Sequence, residues 1–209
     1  MMLISASIAS FDVLRVAEEI AYIDRYFKEI HIDIEDGVAV DGISFGMKMC
    51  KGIISLTSSK TSIHLEVINP LRYLEDVKEC HPDIVFIQAD VLDDPMKVIL
   101  DFQKAKIPVG LAIGDRDKRN NYDKILEITD NVLVTTAYHE DTKQIYQQSL
   151  EDLALKLMRE KNLKVWLDGG VTFEKYQQLK NSGLYAAIMG RAIFQNKEKF
   201  SKWYEGQEK

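Results

Sequence analysis

The sequence predicts a single α/β domain, a closed (β/α)8 (TIM) barrel over residues 1–209. Eight short runs rich in Ile and Val recur along the chain, as expected for strands buried on both faces. Segments of helical periodicity separate them. Strand and helix alternate throughout, with no linker or low-complexity stretch, which implies a parallel sheet. Eight units of about 26 residues suit a closed barrel at the short end of its size range. An open doubly wound sheet is the alternative. No GxGxxG follows the first run, which counts against a dinucleotide site.

LISASI (3–8) is the first run and carries Ser5 and Ser7. FDVLRVAEEIAYIDRYF (11–27) then places Leu14, Ala17, Ile20, Ala21 and Ile23 near one helical stripe, with Ser10 as N-cap. IHIDI (30–34) buries its isoleucines and sets His31 and Asp33 on the other face, followed by Glu35, Asp36 and Gly37. SIHLEV (62–67) repeats the pattern with His64 and Glu66. NPLRYLEDVKEC (69–80) opens a helix with Asn69 as cap and Pro70 at its first position. IVFI (84–87), IPVGLAI (107–113) and VLVTT (132–136) are the next three strands. An amphipathic segment, TKQIYQQSLEDLALKLMREKN (142–162), leads to KVWLD (164–168), which ends in Asp168 before Gly169 and Gly170. TFEKYQQLKNSG (172–183) reads as a helix with Gly183 as C-cap, and YAAIMG (185–190) is the last strand.

Composition narrows the function classes. The chain is 46% hydrophobic with a net charge of −6, so it is neither disordered nor basic. No run of basic residues marks a nucleic-acid site. No apolar stretch is long enough for a membrane span, and the short apolar start lacks a basic leader. Cys50 and Cys80 show no CxxC spacing and read as reduced, partly buried thiols. The expectation is a cytoplasmic protein with no nucleic-acid or membrane partner. Phe45, Met47 and Met49 suggest an apolar helix face and hence a homo-oligomer.

Active sites of such barrels form at the C-terminal ends of the strands. There the chain offers Ser5, Ser7, His31, Asp33, Glu35, His64, Glu66 and Asp168. Each alone is ordinary, a satisfied core histidine or an aspartate capping a helix. Together, several ionisable groups at one barrel mouth need a positive partner. Nitrogen and carboxylate donors suit Zn, Mn, Fe or Co better than Ca or Mg.

SASIAS with Asp12, IHIDIEDG, IHLEV followed by NP, LDGGV and MGRAIF resemble the ribulose-phosphate 3-epimerase family, in that family's order and over nearly the whole chain. The closer likeness is to divergent pentulose- or hexulose-phosphate members. The resemblance implies one divalent metal ion held by His31, Asp33, His64 and Asp168, with Asp33 and Asp168 as the acid/base pair. It implies substrate contacts at Ser7, Gly169, Gly170 and Gly190, and a phosphorylated ketose epimerised at C3.

The chain also departs from the family. Glu35, Glu66 and Thr135 stand where relatives carry methionines. The two glutamates read as extra ligands, as contacts to a different sugar, or as side chains turned out of the mouth. AYHEDTKQ (137–144) replaces a glycine-rich loop that helps hold phosphate, and AIGDRDKRN (112–120) replaces an N-P-x-T-P-like turn. Gln88 stands where histidine is common. Arg191 either replaces the lost positive charge or forms an ion pair. His139 either touches substrate or faces solvent, and His81 reads as structural at the barrel's bottom. A catalytically impaired sugar-phosphate binding or regulatory protein is therefore the competing reading, and another enediolate reaction, such as an isomerase or aldolase, is a third.

Overall fold

The computed structural model describes residues 1–114, 122–137 and 145–207. Eight parallel strands close into a barrel in chain order, with each strand paired to its sequence neighbours and the first to the last. They are β1 (Leu3–Ser7), β2 (Glu29–Glu35), β3 (Lys60–Glu66), β4 (Ile84–Gln88), β5 (Val109–Ile113), β6 (Asn131–Thr135), β7 (Lys164–Asp168) and β8 (Ala186–Met189). All eight expected runs are strands. Closure rules out the open sheet.

The helices outside are α1 (Val16–Tyr26), α2 (Met47–Leu56), α3 (Leu74–Cys80), α4 (Pro95–Lys104), α5 (Asp123–Leu126), α6 (Gln148–Lys161), α7 (Phe173–Leu179), α8 (Arg191–Phe194) and α9 (Lys197–Gln207). Three local expectations change. Ser10 is not a cap: the chain makes two 3-10 turns first, capped by Ser7, whose Oγ accepts from Ala9 N, and Asp12, whose Oδ1 accepts from Leu14 N. Of the expected stripe, Ile20 and Ile23 are buried, joined by Glu19 and Tyr26, whereas Leu14 lies in a turn, 90% exposed, and Ala17 and Ala21 are exposed. Asn69 does precede Pro70, but that turn is 3-10 and the Asn69 side chain makes no capping bond. Gly183 lies beyond the end of α7, in a turn at φ +99°, where a Cβ would sit 2.9 Å from Met158 Sδ.

Two apolar layers hold the molecule. Outward-facing strand residues such as Ile30, Ile32, Ile34, Ile63 and Leu65 pack under the helices. Inside the barrel Ile84, Phe86, Ala112, Leu133, Trp166, Ala186 and Ile188 form a separate cluster. That apolar filling comes from β4 through β8. The register sets His31 beside Ser62, Asp33 beside His64 and Glu35 beside Glu66, so β2 and β3 make the lumen polar on their side. Cys50 and Cys80 are buried free thiols. Met47 is buried in the core, and Phe45 and Met49 are partly buried against it. Exposed apolar side chains lie elsewhere, among them Val38, Ile43 and Ile68 in the loops after β2 and β3. No helix among the described residues is long and apolar enough to cross a membrane.

Candidate functional site

Strand alternation carries His31, Asp33, His64 and Asp168 into the mouth of the barrel, where one donor atom of each lies within 4.8 Å of the others. Asp33 Oδ1 is 3.1 Å from His31 Nε2 and 3.5 Å from His64 Nδ1. Asp168 Oδ2 is 3.9 Å from His31 Nε2 and 3.8 Å from His64 Nδ1. Both imidazoles are fully buried, and these two nitrogens have no hydrogen-bond partner.

The opposite nitrogens are occupied. His31 Nδ1 meets Ser62 Oγ at 2.8 Å, and His64 Nε2 meets Gln88 Oε1 at 2.8 Å. The Gln88 amide donates in turn to Asp90 Oδ1 at 2.7 Å, which fixes its oxygen toward the imidazole. In the neutral imidazole His64 Nε2 therefore carries the ring proton, which leaves the Nδ1 lone pair for a cation. Buried nitrogen lone pairs converging with two carboxylates fit a divalent cation, with the outer groups holding each ring in place.

The site is acidic beyond need. Glu35 and Glu66 both line a cavity of about 670 Å³ at the mouth, so the reading that turned them outward does not hold. Glu66 Oε2 stands 3.9 Å from His64 Nδ1. Burial, reinforced by Asp33 and Asp168, pushes the Glu66 carboxyl up to about 8. Burial and Asp33 also raise Glu35. Burial opposes charge on His64, yet Glu66, Asp33 and Asp168 outweigh it and raise the imidazole to about 10. The two aspartates are split in proton affinity. Burial and the neighbouring Asp33 lift Asp168 to about 6, whereas the two imidazoles overcome burial and hold Asp33 far below the usual carboxylate range.

Ser7 lies on this floor, donating its hydroxyl to Asp33 Oδ2 at 3.0 Å. Gly169, Gly170, Gly190 and Arg191 line the same cavity. Gly169, at φ +98°, lets the chain turn where a Cβ would come within 3.0 Å of Ala137 N. The altered segments 115–121 and 138–144, with His139, Glu140 and Asp141, lie outside the described residues. His81 is exposed and ends α3 in a left-handed conformation, far from the mouth along the strand direction. Two residues of the site went unread in the sequence, Ser62 and Glu29. Both sit two positions before a site histidine, and strand alternation was the signal that could have found them.

The sequence matches the profile of the ribulose-phosphate 3 epimerase family over residues 3–194. A ribulose-phosphate 3-epimerase from Synechocystis sp. is 25% identical over 91% of this chain and 86% of its own length. One from Helicobacter pylori is 23% identical over 95% and 93%. Among solved structures, a variant tryptophan synthase alpha-subunit from Pyrococcus furiosus superposes with a TM-score of 0.65 at 15% identity, covering 98% of this chain and 94% of that one, a likeness of fold alone.

Proposed function

The chain belongs to the ribulose-phosphate 3-epimerase family, and on that premise we propose that it is a metal-dependent epimerase inverting C3 of a phosphorylated ketose, a pentulose or hexulose phosphate. The observation that carries this reading is the convergence of two carboxylates of opposed proton affinity with two buried, unpartnered imidazole nitrogens. His31, Asp33, His64 and Asp168 would hold the cation. When bound, it supplies positive charge beside a carbonyl oxygen on which negative charge develops.

Inversion takes a proton from one face of the carbon and returns one to the other. Asp33 reaches the cavity from β2 and Asp168 from β7, so the two carboxylates suit the two faces of a planar intermediate between them. One carboxylate serves as base and the other as acid, with roles exchanged in reverse. Ser7 holds Asp33 in place through Oδ2. Gly169, Gly170, Gly190 and Arg191 contact the phosphate end of the substrate. Cytoplasmic location and a homo-oligomer belong to the same proposal, and sedimentation at two concentrations tests the latter.

Incubation with ribulose phosphate in deuterium oxide tests the chemistry. Deuterium should enter C3 with the metal-loaded chain and fail to enter with Asp33→Asn or Asp168→Asn. The binding or regulatory reading, which the acidic, glycine-free segment 138–144 favours, instead expects saturable binding without exchange.

A further inference from the structure

The lumen holds a carboxylate that this chemistry does not use. Glu29, at the start of β2, is 4% exposed, and its Oε1 accepts the Trp166 indole N–H at 3.1 Å across the barrel. Ser62 Oγ lies 3.4 Å from the same oxygen and 3.3 Å from the Ile30 carbonyl. Both oxygens are acceptors for its one hydroxyl hydrogen, which serves one of them or is shared between the two. With the hydrogen on that side, a Ser62 lone pair meets His31 Nδ1 at 2.8 Å and Nδ1 carries the ring proton. Nε2, facing Asp33 and Asp168 without a hydrogen-bond partner, keeps its lone pair.

We propose that Glu29 is a positioning residue: acting through Ser62, it holds His31 as the Nδ1–H tautomer and makes Nε2 a stronger donor toward a divalent cation. The inference rests on the metal reading of the site. The two imidazoles are thereby oriented by different means. His64 is held by the neutral amide of Gln88, whereas His31 is backed by a carboxylate at one remove. In a lumen closed to water a carboxylate polarises the chain of hydrogen bonds more than a neutral acceptor does. Trp166, on the opposite wall, donates its indole N–H to the same Oε1 and so reports on it. A carboxylate that merely filled space would leave the donor strength of His31 unchanged when exchanged for its isosteric amide.

Zn(II) binding to the full chain, followed by competition with a chromophoric chelator, tests this in the wild type, Glu29→Gln, Ser62→Ala and Trp166→Phe. Glu29→Gln and Ser62→Ala should bind about ten- to a hundredfold more weakly, as loss of an outer partner does elsewhere, with unchanged circular dichroism. Trp166→Phe keeps the Glu29–Ser62–His31 chain and should stay within roughly threefold on the same scale. Nitrogen NMR of the wild type adds a readout that needs no variant to fold. Zn(II) should shift the Trp166 indole N–H through the chain and leave that of Trp203, on α9, in place. Equal affinity of Glu29→Gln and wild type, or an unmoved Trp166 resonance on zinc binding, would overturn the role of Glu29 alone. A wild type with no saturable zinc site would remove the metal reading and this inference with it.

Discussion

At the scale of single residues, the site is balanced by protons until a cation replaces them. Asp33→Asn or Asp168→Asn should lower deuterium exchange by about 10²- to 10⁴-fold, the range for loss of a general acid or base, while leaving the fold intact. A pH dependence follows for the metal-free protein. Glu66 binds its proton more tightly folded, at about 8, than unfolded, and His64 likewise at about 10. Both contributions are present at low pH and are lost as pH rises, Glu66 between its unfolded value and 8, His64 between its unfolded value and 10. Stability of the chelator-treated chain should therefore fall from pH 6.5 to 8, and Glu66→Gln should flatten the slope. A thermal melting series at fixed ionic strength reads this; a rising stability over that window contradicts the charge balance. His31, Asp33, His64 and Asp168 were legible in the sequence because alternation along a strand is local. Alternation also puts Ser62 and Glu29 on the lumen face, but their part was not legible, because only the register sets Ser62 beside His31.

At the scale of elements, short connections tie helix to strand. Asp24, near the end of α1, accepts Thr57 Oγ1 at 2.6 Å, Ser58 N at 2.9 Å and Ser59 Oγ at 2.7 Å in the segment before β3. Burial raises its carboxyl, but these donors outweigh burial and lower it. Its contribution is thus present above the unfolded value and lost as pH falls through the folded one. Asp24→Asn should cost about 1–3 kcal/mol at pH 7, as hydrogen bonds to a charged group do, and the difference should shrink in acid. Urea unfolding at pH 7 and pH 3 measures both. Thr172→Ala removes the cap of α7, whose Oγ1 accepts from Lys175 N at 3.1 Å, and should cost about 1 kcal/mol. Strands such as β4 are plain in the sequence because IVFI is apolar on both faces and β-branched, a composition that suits a buried strand. Helix starts are less plain: Ser10 and Asp12 are equally good caps by type, and the choice fell to the residue that the turn after β1 brought into range of a free N–H.

At the scale of the whole molecule, the barrel sorts its interior by stave. The filling from β4 to β8 is apolar, whereas β2 and β3 present acids and imidazoles, so the site is walled by a packed hydrophobic cluster. A cation that binds only the folded barrel must stabilise it. At a free Zn(II) concentration of about a hundred times Kd the gain is about 2.7 kcal/mol, which for a chain of this size raises Tm by roughly 5–10 °C. Calorimetry with and without chelator checks it; an unchanged Tm would leave the four donors without an ion. Periodicity, alternation and the order of motifs lie along the chain, and they determined the barrel class, the strand positions and which ionisable side chains share a face. Closure, register and depth depend on residues far apart in sequence. Only the folded barrel could decide that two histidines turn bare nitrogens toward the same two aspartates, that Glu35 and Glu66 point inward, and that a carboxylate stands behind Ser62, because those facts are distances across the lumen.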